Sequence, residues 1–381
     1  MLHSLQKSLG RGRKSQTVKD DSYYIASQWQ LIWRKFRRHK LAIVGGSIIS
    51  LMYLGAIFSG FFALNPYQQR HASLASAPPQ RLHFVDAEGQ FHLVPFVYNL
   101  TQELDIATLQ RTYTEDTSTR YPLQLFARGH TYKFWGLFET NWHFITVAEG
   151  GTFMPFGSDE FGRDLFSRNL YASRISLSIG FIGVLVSFVL GALIGGISGY
   201  FGGVTDLIIQ RIIEFIISIP TIPLWFALAA ALPPQWTTLQ VYFGITTVLA
   251  TVGWTTLART VRGKLLELRE ADFVTAAKIS NMGDFDIITK HLLPSFSSYL
   301  IVSLTLAIPN MILGETALSF LEIGIRPPAV SWGVLLQDAQ SIRSISQSPW
   351  LMIPGIFVVI TVLCFNFIGD GLRDAADPYK S

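Results

Sequence analysis

Residues 259–295 read RTVRGKLLELREADFVTAAKISNMGDFDIITKHLLPS, the longest polar interruption in the apolar C-terminal half of the chain. The stretch holds six Lys/Arg and five Asp/Glu, with apolar runs on both sides. A membrane protein keeps such a loop in the cytoplasm. Within it, Asp272 to Asn281 reads as a short helix of about 15 Å. Asp272 is expected to cap the first free N–H groups, and Ala276 and Ala277 favour the helix. Phe273, Ala276 and Ala277 share a face by three- and four-residue spacing, and that flat face admits another surface. Asn281 suits the left-handed geometry that ends a helix. Gly283 and Asp284 then open a second helix running toward Pro294. By itself the stretch also fits a plain solvated connector between membrane helices.

The run DFVTAAKISNMGDFDIITKHLLPS, from Asp272, resembles the "EAA" loop of ABC importer permeases, specifically the dipeptide/oligopeptide/nickel group. Asp272, Ala276, Ala277, Ile287, His291, Leu293 and Pro294 match, whereas Thr275 stands for the usual Glu and Asn281 for the usual Gly. The resemblance implies that this loop is the helix docking on an ATPase subunit, with Asp272, Phe273, Thr275, Ala276, Ala277, Lys278 and Asn281 as its coupling residues. It implies the type I ABC importer fold. Further matches are the segment around Gly157, Asp159, Gly162, Arg163 and Asp164, with Ser158 for Thr, and the segment from Glu315 to Gly324, where Glu322 replaces a Gly. Pro327, Pro328 and Trp332 also match, as does the closing FNFIGDGLRDAADP.

Composition supports a membrane protein. Of 381 residues 49% are apolar and 15% charged, and long apolar runs separate the polar ones. Its net charge of +4 is no nucleic-acid signal, because the basic residues cluster beside spans. Cys364 is the single cysteine, so there is neither an intrachain disulfide nor a Cys-based metal site. No cleavable leader is apparent.

The reading divides the chain into a basic tail (1–40), a first transmembrane helix (41–64), an insert (65–169) and a five-helix permease core (170–381). Ten Lys/Arg in the tail set the N-terminus inside. Trp29, Leu31, Ile32, Trp33 and Phe36, alternating with Arg34, Lys35, Arg37 and Arg38, suit a helix lying on an anionic membrane surface. The insert is mildly acidic, with eight Lys/Arg and eleven Asp/Glu. Alternating apolar residues, as in RLHFVDAEGQFHLVPF with a turn at Asp86–Gly89, predict a small, mainly β subdomain between helices 1 and 2. His71, His83, His92, His130 and His143 match no ligand motif, so surface or hydrogen-bonded roles are expected. FGSDEFGRDLFSR (156–168) reads as a capped amphipathic helix on the membrane surface.

Gly191, Gly195 and Gly199 leave one helix face as bare backbone, which serves either packing within the chain or contact with neighbouring helices. The third span, Asp206 to Leu232, is interrupted by Pro220 and Pro223, tolerated where a helix lines a cavity. Leu239–Leu257, Leu300–Leu318 and Pro349–Ile368 complete an all-α polytopic protein of six transmembrane helices with both termini cytoplasmic. Pro220, Pro223, Pro309, Asn310 and Glu315 are candidates for the translocation path. For Glu315 a structural hydrogen bond outweighs substrate contact.

No G-x-x-x-x-G-K-[ST], H-E-x-x-H or G-x-S-x-G occurs. The expectation is a non-enzymatic permease of the bacterial inner membrane that binds no cofactor itself. By resemblance it works with a second homologous permease, two ATPase subunits hydrolysing ATP with magnesium, and an extracytoplasmic binding protein facing the insert and Arg326–Gln347. Peptides are the expected cargo, with nickel, oligosaccharides and opines as alternatives. A stand-alone channel or ion-coupled transporter is disfavoured by the scarcity of charge inside the spans, and a membrane-bound hydrolase by the lack of a catalytic set in the insert.

Overall fold

The computed structural model describes residues 28–104 and 111–376. The tail ahead of Gln28 lies outside them, as do Asp377 and Pro378 of the closing motif. Among the described residues, five helical runs are long and apolar enough to cross a membrane: Lys40–Ile57, Leu165–Phe201, Thr238–Leu268, Ser297–Phe320 and Pro349–Ala376. Two shorter helices, Gly203–Ser218 and Thr221–Ala230, meet at a bend of 88°. The start of the pair is tied to Arg262, within the stretch 259–295. Its far end lines a recess with Ile323 and Ile325, beyond the opposite end of Ser297–Phe320. The pair is therefore one broken crossing. Pro220 sits at the N-cap of the second half, so the missing proline N–H falls where a helix start leaves donors free anyway.

Several helices run past the hydropathy reading, whereas the first span, expected to reach Leu64, ends at Ile57, where Phe58 leaves helical geometry ahead of a separate short turn, Ser59–Phe62. The second span begins at Leu165, ahead of residue 170, because Asp164 caps it, accepting from Phe166 N at 3.1 Å and Ser167 N at 3.2 Å. The fourth runs from Thr238, with a Thr237/Gln240 capping box, to Leu268. That is eleven residues past Leu257, since nothing in Ala258–Leu268 breaks a helix.

The glycine stripe faces its own chain. A Cβ at Gly191, Gly195 or Gly199 would lie 2.8, 2.4 or 2.7 Å from the carbonyl oxygens of Trp254, Ala258 and Arg262. Each step of four on one helix thus meets a step of four on the other, backbone against backbone. The first span packs on the sixth in the same way, Gly45 against the Cys364 backbone and Gly371 against Ala42.

Residues 156–168 do not form a surface helix. Asp159 is wholly buried in a tight turn and accepts from Phe161 N, Arg163 N, Arg163 Nε and the Arg168 guanidinium. Ionic partners at Arg163 and Arg168 draw the segment inward, where a solvated helix would leave that carboxylate in water. Arg326–Gln347 is also less external than expected. Ser331 caps helix Trp332–Gln337, and Trp332 is fully buried under the insert end of the bundle.

The insert is a four-stranded antiparallel meander: β1 (His83–Val85), β2 (Phe91–Leu104), β3 (Arg111–Phe134) and β4 (Phe138–Val147). Gly89, at φ +82°, closes the β1–β2 turn, with Gly89 N donating to Asp86 O at 3.0 Å. Three of the histidines find hydrogen-bonding partners: His83 pairs with Glu115, His92 with Asp86, and buried His143 places Nδ1 and Nε2 3.1 and 2.8 Å from the carbonyls of Ala63 and His130, to one of which a neutral ring donates. His71 departs from the expectation, since its Nε2 is buried with no hydrogen-bond partner among the described residues. His130 lies against His143, rings tilted by 42° with centroids 4.2 Å apart. Burial and then the neighbouring imidazole lower its pKa from 6.5 to about 4. A depressed histidine pKa means the unfolded chain binds the proton more tightly. The β3–β4 hairpin is expected to hold full stability above pH 6.5 and to lose it as pH falls toward 4. Amide exchange of β3 and β4, corrected for intrinsic rates, should rise between pH 7.5 and pH 5, and His130→Gln should flatten that rise.

Candidate functional site: a docking helix and an uncharged cavity

Loop 259–295 carries a helix at Asp272–Ile279. Its N-cap is Ala271, not Asp272, and no side chain caps it. Asp272 stands in the first turn and Lys278 in the last, each complementing the helix dipole. Asn281 is left-handed at φ +55°. Met282 N donates to Ala277 O at 3.2 Å and Asn281 N to Lys278 O at 3.0 Å, a complete Schellman ending. Asn here performs the turn for which Gly is usual. Beyond Gly283 the chain is helical again through Asp284–Asp286, a π-helical turn Ile287–Leu292, and Leu293–Ser295.

The expected docking face splits in two. Val274 and Ala277 are buried, at 0% and 7% exposure, in a cluster with Val261, Leu265, Ile287, Ile288, Leu292 and Leu300. Phe273 and Ile279 are 41% and 82% exposed, and Thr275, Ala276 and Lys278 are exposed beside them. Ala277 therefore belongs to the inward face. Phe273 has neighbours at both i+3 and i+4, and the sequence spacing does not say which alanine the core takes. Thr275 Oγ1 is 3.4 Å from Ala271 O, so the position usually held by Glu carries a hydroxyl turned back on its own helix.

Polar links tie the loop to the spans. Tyr200 Oη donates to Asp284 Oδ1 at 2.7 Å, and Lys278 Nζ lies 5.3 Å from the Tyr200 ring centre. Arg262 donates through Nε and Nη2 to both oxygens of Asp206, each at 2.5 Å. Partly exposed ion pairs contribute about 0–1 kcal/mol, while each buried Leu, Ile or Val contributes about 1.5–3 kcal/mol. The apolar cluster holds the loop, and the polar links set its orientation.

A cavity of about 790 Å³ opens between the broken third crossing and the second, fourth and fifth spans. Ser187, Trp225, Thr256, Thr260, Ser303 and Asn310 are among its lining residues, and no Asp, Glu, Lys, Arg or His is. Asn310 is the one path candidate on this wall. Pro220 and Pro223 flank Thr221 and Ile222, which do line it. Pro309 is buried within its helix.

Glu315 lies apart from the cavity lining. It is fully buried, accepting from Ser176 Oγ at 2.9 Å and Ser319 Oγ at 2.7 Å, and Ser176 Oγ in turn accepts from Trp332 N at 3.1 Å. The residue is a clamp joining the second and fifth spans to the return segment. The lining threonines escaped the sequence reading, although Gly253, Thr256 and Thr260 recur on one face of the fourth span and offered a signal.

A bundle of membrane-spanning helices, a short helix half fused to it, and a neutral cavity between spans are the parts of a membrane transport protein. Residues 175–380 match the family model for the binding-protein-dependent transport system inner membrane component. The chain belongs to that family, and within it to the OppC/DppC group of ABC importer permeases. Residues 27–79 match the N-terminal TM domain of oligopeptide transport permease C.

Among similar proteins, the oligopeptide transport system permease protein OppC of Haemophilus influenzae is 40% identical over 244 residues, covering 63% of this chain and 75% of its own. The dipeptide transport system permease protein DppC of Alkalihalophilus pseudofirmus is 31% identical over 360 residues, covering 94% and 92%. Among solved structures, an inward-facing conformation of the MetNI methionine ABC transporter has 19% identity and a TM-score of 0.42, covering 53% of this chain and 93% of that one.

Truncating Leu265 to Ala is expected to cost about 2–5 kcal/mol, whereas Tyr200→Phe should cost about 0.5–1.5 kcal/mol. Amide exchange of residues 272–279 should accelerate far more in the first variant. Equal protection in the two would contradict the dominance of the apolar cluster.

Proposed function

We propose that this chain is one of two permease subunits of an ABC importer carrying di- or oligopeptides across the bacterial inner membrane, with both termini cytoplasmic. The similar OppC and DppC proteins are named for oligopeptide and dipeptide transport, and this supports the cargo class over nickel, oligosaccharides or opines. The second permease is a homologue, the two ATPase subunits bind and hydrolyse ATP with magnesium, and a binding protein delivers cargo on the insert side. This chain contributes no nucleotide site of its own, in keeping with a sequence that lacks a phosphate-binding loop.

The observation that carries the reading is the two-sided helix Asp272–Ile279. Its inner face is continuous with the core of the fourth and fifth spans. Its outer face offers Phe273, Ala276 and Ile279 to an ATPase surface. Closure of the ATPase pair pushes on that face, and the cluster around Leu265 passes the displacement to the spans lining the cavity. The cavity closes on one side of the membrane and opens on the other. A wall without formal charge lets peptides of either sign pass, because no fixed charge traps one of them.

The test is ATP-dependent uptake of a labelled tripeptide by the reconstituted importer. Ala276→Asp puts a desolvated charge in the docking face and is expected to reduce uptake at least tenfold, with this chain's thermal stability unchanged. Ala277→Asp places the charge in the chain's own core and is expected to lower thermal stability as well. Full uptake in Ala276→Asp would refute the docking face. Uptake of nickel or an oligosaccharide with none of the peptide would refute the cargo.

A further inference from the structure

We propose that the β3–β4 hairpin tip is a membrane anchor, seated among lipids of the leaflet on the insert side. The tip reads Phe134-Trp135-Gly136-Leu137-Phe138. Phe134 and Phe138 pair across the hairpin, and Trp135 and Gly136 turn it with positive φ of 49° and 74°. Trp135, Leu137 and Phe138 are 51%, 79% and 56% exposed. Five consecutive apolar residues at a hairpin tip do not suit water, where loops carry polar turn residues.

Its depth follows from the first span. Trp135 Nε1 donates to Ile57 O at 3.0 Å, and Phe58 lies against Phe134 with ring centres 5.8 Å apart. Ile57 closes helix Lys40–Ile57, whose 18 residues rise about 27 Å at 1.5 Å each. The hydrocarbon core is about 30 Å thick, and the basic residues Arg37, Arg38 and Lys40 mark its other face. The tip therefore stands where acyl chains give way to headgroups, the depth at which Trp is enriched. It also continues an exposed apolar surface of that span through Leu51, Leu54, Ile57 and Phe58.

Charge is arranged to suit. Lys133 and Glu139 pair at 3.4 Å immediately behind the tip. The Arg174 guanidinium lies 3.9 Å from the Trp135 ring centre, a position from which it reaches headgroup phosphates. By contrast the far part of β3, Thr114–Arg120, is a run of exposed polar residues. The lipid-seated tip and the His143 bond to Ala63 O hold the sheet at a constant height over the bundle. The inference does not depend on which cargo is carried.

The test places a fluorescent nitrobenzoxadiazole label at Leu137→Cys, in a Cys364→Ser background, in the full chain. The labelled chain is assembled with its partners in nanodiscs of phosphatidylethanolamine and phosphatidylglycerol. Phe138→Cys is the second tip position and Thr117→Cys the aqueous reference. Lipids with a nitroxide at acyl carbon 5 should quench the two tip labels at least twofold and leave Thr117 bright, while iodide should quench only Thr117. Iodide quenching of the tip labels equal to that of Thr117 would place the tip in water and overturn the proposal. Tip labels shielded from both quenchers would mean that a protein covers the hairpin, which overturns it as well.

Discussion

The close approach of two helix backbones along Gly191, Gly195 and Gly199 is the constraint on which the rest of the structure depends. In a bilayer, lipid tails are as apolar as leucine, and helices associate by packing more than by hydrophobic burial. Carbonyls of Trp254, Ala258 and Arg262 fill the places where side chains would stand. That contact sets the fourth span on the second and carries its extension, up to Leu268, past the end of the glycine stripe. The helix Asp272–Ile279, the proposed docking helix, hangs from this extension, so its position follows from the glycine register. Gly196 adds a second contact, since a Cβ there would come within 3.0 Å of Ile288 beyond the docking helix.

The opposite end of the bundle is held by a different kind of contact. Glu315, Ser176 and Ser319 gather around the buried return segment at Trp332. Asp159 gathers Arg163 and Arg168 where the second span begins. Buried ionic groups contribute little net stability but penalise any arrangement that leaves one unpaired. Between these two fixed ends lies the neutral cavity, beside the one crossing broken at its middle. Rigid ends and a hinged centre suit a protein whose work is to expose a cavity alternately on two sides.

Much of this was legible in the amino-acid sequence because the membrane limits the choices. Long apolar runs, prolines and glycine spacing located the crossings, and Asn281 located the end of the docking helix. The alternation around Asp86–Gly89 gave away the β insert. Other features were settled by partners beyond the reach of local spacing. Ala276 and Ala277 are equivalent by local spacing, and only the cluster around Leu265 tells them apart. Residues 156–168 read as a surface helix until Arg168 is seen folded back on Asp159. The segment Arg326–Gln347 reads as an outer surface until Ser176, 156 residues before Trp332, is seen to hold the Trp332 backbone. In each case the deciding energy comes from a contact outside the local helical or turn period, nine residues away for Asp159 and 156 for Trp332, which local pattern does not encode.

The central claim is that the docking helix and the second-to-fourth helix pair move as one body when a separate ATPase closes. Spin labels at Ile279 and at Phe201, on the second span, both exposed, measure this by pulsed dipolar spectroscopy in the assembled importer. The account predicts an Ile279–Phe201 distance distribution that ATP leaves unchanged, while the distance from Asn310 to the proposed partner permease shifts. An Ile279–Phe201 distribution that shifts or broadens with ATP, with the Asn310 distance fixed, would contradict it.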